Sequence, residues 1–305
     1  MMNNFIFENK AKVYFGKGGV KEYLGGLLAN FGETVMLAYG GGSIKRNGVY
    51  DEIMGILNAA GKRVVEFSGI MSNPTYQKVQ DGAKLARENH VDLILAVGGG
   101  SVSDCCKVIS GAFDTLSHAM ETYFGKPDEN NLSDDINEAA MRSVIRNSRI
   151  LLTDPENYDA RSELAWASAM AENGVLKIGK VTDFQAHQIE HQLGAYTNCN
   201  HGAGLAVIHP VLYRHIYKSG TARFTRWAQN VWGIAPKGSD EETAAAGIDA
   251  LAAFIKEIGL PTSFADLGIP ADTDFRAIAD STNVTAGCCK KLTHDEIYEI
   301  LQECL

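Results

Sequence analysis

Short apolar runs alternate with amphipathic stretches through the first 110 residues. Thr34 to Tyr39 (TVMLAY) reads as a buried strand and stops at Gly40-Gly41-Gly42-Ser43. From Gly48 to Asn58 the apolar positions Val49, Ile53, Ile56 and Leu57 share one helical face. Lys62 to Phe67 (KRVVEF) predicts a second strand, and the turn signal Ser72-Asn73-Pro74 precedes a helix over Thr75 to Asn89. Val91 to Val97 (VDLILAV) predicts a third strand, again ending in glycines, Gly98-Gly99-Gly100-Ser101. Strand, glycine loop, helix, strand is the rhythm of a parallel sheet with crossover helices.

Beyond Gly111 the strand pattern nearly vanishes. Helical spacing covers Phe113 to Phe124, Ser133 to Leu151, Ala160 to Asn173, Phe184 to Gly194 and Gly204 to Tyr217. It continues over Thr221 to Val231, Glu241 to Ile258 and His294 to Leu305, punctuated by Pro155, Pro210, Pro236, Pro261 and Pro270. The expected organisation is an α/β dinucleotide-binding domain over 1–110, Rossmann-like, followed by an all-helical domain over 111–305. There is no internal repeat.

Composition narrows the partners. Lys and Arg number 28 against 37 Asp and Glu, a net charge of −9, so nucleic acid and anionic membrane surfaces are not expected partners. Any phosphate-bearing ligand must meet a local device of backbone amides and one or two placed cations. Hydrophobic residues at 45% and charged residues at 21% exclude disordered and fibrous classes. The six cysteines form no CxxC pair, Met1 to Lys10 has no apolar core, and no apolar run is long enough to span a bilayer. A cytoplasmic chain with reduced thiols is expected, its cysteines packed as small hydrophobes.

Two sets of residues could carry chemistry. The glycine loops at 40–43 and 98–101 each end a strand and open a helix, where backbone N–H groups can approach an anion; neither fits GxGxxG or a P-loop. Asp114 and His118 stand four apart in one predicted helix, His187 and His191 repeat that spacing in another, and His201 follows after an asparagine-rich turn. An i,i+4 Asp/His pair is half of a divalent-metal site, although spacing leaves open which side chains converge. Glu190 reads as a solvated carboxylate or one supporting such a site, and Trp166, Trp227 and Trp232 read as core.

With these motifs together the chain resembles the group III, iron-containing alcohol dehydrogenase family, most closely its NADP(H)-dependent butanol dehydrogenase branch. Phe15-Gly16-Lys17-Gly18, LAYGGGSIKRNG (37–48), Asn73-Pro74 and VGGGSVSD (97–104) are similar to the family's nucleotide half. GAFDTLSHAMETYF (111–124) and HQIEHQLGAYTNCNHGAGLAVIHP (187–210) are similar to its metal signatures. The resemblance implies Asp114, His118, His187 and His201 as ligands of Fe²⁺ or Zn²⁺. It makes His191 a non-ligand near nicotinamide and substrate, a candidate proton relay. Gly98, Gly99, Gly100 and Ser101 match the pyrophosphate loop, Gly41, Gly42 and Ser43 the loop at the adenosine ribose, with Asn73, Pro74 and Asp104 also in the cofactor half. The implied activity is NADP(H)-dependent oxidation of short primary alcohols or reduction of aldehydes such as butanal, by a homodimer. Glycerol dehydrogenase-like polyol oxidation or dehydroquinate synthase chemistry on the same fold, and metal and nucleotide binding without turnover, are the competing readings.

One departure stands out. The family separates the helix after GGGS from the Asp-xxx-His helix by dozens of residues, whereas here Ser110 runs directly into Gly111. The rest of the nucleotide-binding sheet, with a Thr-Gly-Ser loop, has no sequence to form it, so the α/β domain is incomplete in this sequence. Two readings stay open: a segment omitted from the sequence, or a deletion variant with a crippled cofactor site. The NADP(H) expectation itself rests on Tyr39 to Arg46, which offers no carboxylate to a ribose and places Lys45 and Arg46 close behind the glycines.

Overall fold

β1 (Thr34–Tyr39) is buried at all six positions because it lies between two partners, β2 (Arg63–Phe67) and β3 (Leu93–Val97), in a parallel sheet of order β2-β1-β3. The structure, a computed structural model, describes residues 12, 14, 16–70, 76–97, 105–126, 129–182, 184–284 and 289–305, with the side chains at 43, 76–79 and 105–111 outside it. The chain divides into two compact units between Val108 and Ile109.

In the first unit the register sets Val35 beside Leu93, Leu37 beside Leu95 and Tyr39 beside Val97. With a period of two, these six side chains share one face. That face meets Leu28 of α1 (Gly19–Leu28) and Ile53 and Leu57 of α3 (Val49–Ala59). On the opposite face Phe67, in register with Ala38, lies against Gly82 of α4 (Tyr76–Glu88), where an added Cβ would come within 2.9 Å of the ring. The sheet thus carries helices on both faces, as expected for parallel strands. α1 lies outside the helices expected from hydropathy. Gly25 and Gly26 weaken its local preference, and burial of Leu28 in the strand-facing cluster supports it instead.

The second unit is helical. α5 (Cys105–Tyr123) is one continuous helix of 19 residues that passes straight through the Ser110–Gly111 junction. It is followed by α6 (Leu132–Thr153), α7 (Tyr158–Glu172), α8 (Gln185–Thr197), α9 (His201–Ile216) and α10 (Thr221–Trp232). α11 (Asp240–Glu257), α12 (Phe275–Ser281) and α13 (His294–Glu303) complete it. Among the described residues no helix is long and apolar enough to cross a membrane.

Polar caps mark several helix starts: Asn131 and Asp134 form a capping box on α6, and Asn157, Asn200 and Ser239 cap α7, α9 and α11. Trp227, Phe224, Tyr213 and Phe124 pack as an aromatic cluster at the centre. Trp166 departs from its expected place in the core, being 46% exposed. The buried stripe of α7 is Ala160, Leu164, Ala167 and Ala171, and Trp166, one residue before Ala167, points about 100° away from it. Pro210 lies inside α9, within the helix expected over Gly204 to Tyr217. α9 buries 11 of its 16 residues and runs on through it, because burial all round outweighs the lost backbone bond.

Inside α9, His209 is fully buried, with Nε2 2.6 Å from Ser117 Oγ and Nδ1 without a hydrogen-bond partner. Burial pushes its imidazole down to about 4, so the folded protein holds it neutral. Its folded value lies below the unfolded one, so the stability tied to its neutral form is full above pH 6.5 and is lost as pH falls towards 4. Urea unfolding should show His209→Asn losing on the order of 3 kcal/mol less than the wild type between pH 6.5 and 4. Parallel pH dependences in the two proteins would refute this account.

Candidate metal centre

Asp114, His118 and Glu121 recur at i, i+4 and i+7 along α5 and so share one face. His187, Glu190 and His191, at i, i+3 and i+4, share one face of α8. α8 begins after Phe184, a left-handed residue (φ 55°) whose side chain caps nothing. Glu121 supplies the missing cap: its carboxylate accepts from Ala186 N at 2.6 Å, His187 N at 3.2 Å and His187 Nδ1 at 2.5 Å. Asn198, also left-handed, ends α8, and Asn200 accepts from Ala203 N to start α9. The three-residue turn returns His201, the first residue of α9, to α8, where its Nδ1 hydrogen-bonds Glu190 Oε2.

Three imidazole nitrogens surround one oxygen. Asp114 Oδ1 lies 3.4 Å from His187 Nε2, 3.5 Å from His201 Nε2 and 3.7 Å from His118 Nε2. Asp114 Oδ1 and His187 Nε2 are buried and have no hydrogen-bond partner. Tetrahedral ligands on bonds of about 2.1 Å stand about 3.4 Å apart, and the separations of Asp114 from His187 and His201 match that spacing. The donor atoms of Asp114, His187 and His201 all lie within 4.8 Å of one another. His118 joins through Asp114, but its Nε2 is also 3.0 Å from Glu172 Oε1, at the end of α7. One hard oxygen and three imidazoles suit Fe²⁺ or Zn²⁺.

The charges are strongly coupled. Burial by itself would raise Asp114, but the imidazoles of His187 and His201 beside it hold its carboxyl well below the usual range. Burial opposes a charge on His187 and His201 as well, yet the carboxylates on either side raise them to about 9 and about 10. His118 is pushed down to about 4 by burial and by its positive neighbour His187. The ring of His191 stacks on His201 at 5.4 Å, and burial together with the charges of His201 and His187 lowers its pKa.

In the other unit, the loop Gly40 to Ser43 leaves β1 and enters α2 (Ser43–Arg46). Gly42 has φ 91°, a conformation that favours glycine, while a Cβ on Gly41 would meet nothing within 4 Å. The loop has no carboxylate of its own, as its sequence indicates, but β2 delivers one. Glu66 accepts from Tyr39 Oη at 2.5 Å and Tyr50 Oη at 2.6 Å, and pairs with Lys45 at 3.3 Å. Lys45 is therefore not the unopposed cation that the local sequence suggested. Asn73, Pro74, Gly98, Gly99, Gly100, Ser101 and Asp104 lie outside the described residues.

Glu121 escaped the sequence reading, although its place seven residues after Asp114 on the same face was a usable signal. Glu190 is 2% exposed, so it is not a solvated carboxylate. Cys199 and Cys304 are buried and Cys289 is partly so; the side chains of Cys105, Cys106 and Cys288 lie outside the described residues.

An α/β unit with a glycine-bearing βα turn, joined to a helical unit with a carboxylate–imidazole cluster, has the parts of a metal-dependent oxidoreductase. Residues 108–305 match the Fe-containing alcohol dehydrogenase family, C-terminal, and residues 10–140 match Iron-containing alcohol dehydrogenase. The chain belongs to the iron-containing alcohol dehydrogenase family. It is 31% identical to probable NADH-dependent butanol dehydrogenase 1 of Bacillus subtilis over 389 positions, covering 100% of both chains. It is 27% identical to the NADPH-dependent aldehyde reductase YqhD of Escherichia coli, covering 88% of this chain and 90% of that one. The solved structure of NADH-dependent butanol dehydrogenase A from Thermotoga maritima superposes with a TM-score of 0.92 at 27% identity, covering 99% of each chain. The 389 positions of the Bacillus alignment exceed the 305 residues here, so that relative carries residues with no counterpart in this chain.

His201→Ala should abolish stoichiometric binding of divalent metal, read by elemental analysis, while circular dichroism keeps the helical signal. Full metal content in this variant would remove His201 from the centre.

Proposed function

We propose that the protein is a cytoplasmic, homodimeric, metal-dependent NADP(H) alcohol dehydrogenase and aldehyde reductase for short primary alcohols and aldehydes, butanol and butanal among them. The observation that carries this reading is the convergence of His118, His187 and His201 Nε2 on Asp114 Oδ1. A divalent cation held by these four residues supplies Lewis acidity towards the substrate oxygen, and a nicotinamide supplies or takes the hydride.

The protein's own residues orient and relay. Asp114 and the three imidazoles would hold the cation, with Asp114 and His118 carried by α5, His187 by α8 and His201 by α9. His191 is exposed and one turn from His187, so it can pass a proton between the site and solvent. Its lowered pKa leaves the ring neutral near pH 7, ready to accept that proton. Gly41, Gly42 and Ser43 receive the adenosine ribose in this reading, and Gly98 to Ser101 with Asn73, Pro74 and Asp104 receive the rest of the dinucleotide.

A second reading, metal and nucleotide binding without turnover, is favoured by one observation. The Bacillus relative carries residues without counterpart here, and the sheet has three strands among the described residues. The two separate in one assay. After reconstitution with Fe²⁺ or Zn²⁺, the dehydrogenase consumes NADPH when butanal is added. The binding chain shifts NADPH fluorescence and consumes none.

The preference for NADP(H) has its own test. Relatives of this chain are named for either cofactor. Lys45 pairs with Glu66, the carboxylate that β2 brings beside the loop, so what supports NADP(H) is only that residues 40–43 carry no carboxylate of their own. Gly41→Asp places a negative charge there without steric conflict. A charge-assisted phosphate contact contributes about 1.5–3 kcal/mol. The ratio of kcat/KM for NADPH over NADH should therefore fall about ten- to a hundredfold. Equal use of NADH and NADPH by the unmodified protein at low salt would contradict the preference.

A further inference from the structure

Two buried carboxylates, Glu121 and Glu190, sit behind the imidazoles. Glu121 is 6% exposed and Glu190 2%. Each engages Nδ1 of one ring: Glu121 that of His187 at 2.5 Å, and Glu190 that of His201. The opposite nitrogens, Nε2 of both rings, face the same Asp114 oxygen at 3.4 and 3.5 Å. A simple buried ion pair requires only the first contact. It does not require two rings from different helices to aim their far nitrogens at one atom that has no hydrogen-bond partner of its own.

The packing makes room for Glu190. A Cβ on Gly204 of α9 would lie 2.9 Å from Glu190 Cγ and 3.0 Å from its Oε1, and one on Gly194 would lie 3.3 Å from Oε1. Two glycines in neighbouring helices thus leave the space that this carboxylate fills. His118 differs, because its Nδ1 is buried without a hydrogen-bond partner.

We propose that Glu121 and Glu190 are positioning residues of the metal centre, each locking one imidazole so that Nε2 of His187 and of His201 points at the cation. This rests on the metal-centre reading given above. A carboxylate accepting from Nδ1–H fixes the tautomer, leaves the Nε2 lone pair free and makes it a stronger donor. It also prevents the ring from flipping, which would present the protonated nitrogen to the metal.

The test is titration of the full chain, stripped of metal, with Co²⁺ against a competing chelator, followed through the visible absorption of the bound ion. The wild type should take up one Co²⁺. Glu190→Gln and Glu121→Gln should bind it about ten- to a hundredfold more weakly and with a shifted spectrum. Glu121 also caps α8, so its variant is scored only with its metal-free melting temperature and helical signal retained; Gly204→Ala is a second, independent test of Glu190. An added Cβ at Gly204 would lie 2.9 Å from Glu190 Cγ, so this variant should displace the Glu190 carboxylate while α9 stays helical, alanine favouring a helix over glycine; its metal-free melting temperature is measured beside its affinity. Weakened Co²⁺ binding by a chain that keeps its helical signal is the expected result. Wild-type affinity and spectrum in both Glu190→Gln and Gly204→Ala would overturn the inference for Glu190, and the same result in a folded Glu121→Gln would overturn it for Glu121; either leaves the centre standing. A wild type that binds no Co²⁺ would remove the centre itself, and this inference with it.

Discussion

Glu121 accepts three hydrogen bonds at one buried carboxylate, from two backbone amides and one imidazole at the start of α8. A buried charge is tolerable only when so satisfied, and this one is satisfied by a helix that has no cap of its own. The contact fixes where α8 meets α5. Because Asp114 lies two turns back on the same face as Glu121, docking Glu121 onto the first turn of α8 also sets His187 opposite Asp114. Glu190, one turn further along α8, then receives His201 from α9. The cluster is therefore built by successive constraint, with a carboxylate at each step that orients the next ring.

That accumulation of negative charge also defines what the cluster can hold. Asp114, Glu121 and Glu190 stand around three imidazoles in a partly buried region. Such a set attracts a cation and repels anions, which suits a centre that polarises an alcohol or aldehyde oxygen. The α/β unit faces the opposite electrostatic demand. In a chain of net charge −9 a phosphate must be met locally, and there Glu66 tempers Lys45 while Gly42 holds the loop in a backbone conformation that suits glycine.

The junction at Ser110–Gly111 is physically quiet for a reason. Both flanking segments are helical, and α5 joins them without a break in its backbone hydrogen bonding. The alignment with the Bacillus relative spans 389 positions, more than the 305 residues of this chain, and the sheet has three parallel strands among the described residues.

Local pattern was enough for much of this protein. The three strands and the faces of α3, α8 and α10 follow from periods of two and 3.6 residues, which each segment carries without reference to any other. The spacing of Asp114 with His118 and of His187 with His191 likewise put those residues on common helix faces. Tertiary structure decided the rest. Glu121 finds His187 across 66 residues of sequence, Glu66 finds Lys45 across 21, and Trp166 turns outward because alanines, not the largest side chain, fill the buried stripe of α7. Periodicity states which way a side chain leaves its own helix or strand. Which charge it then meets depends on how separate elements pack, and that is set by the fold as a whole.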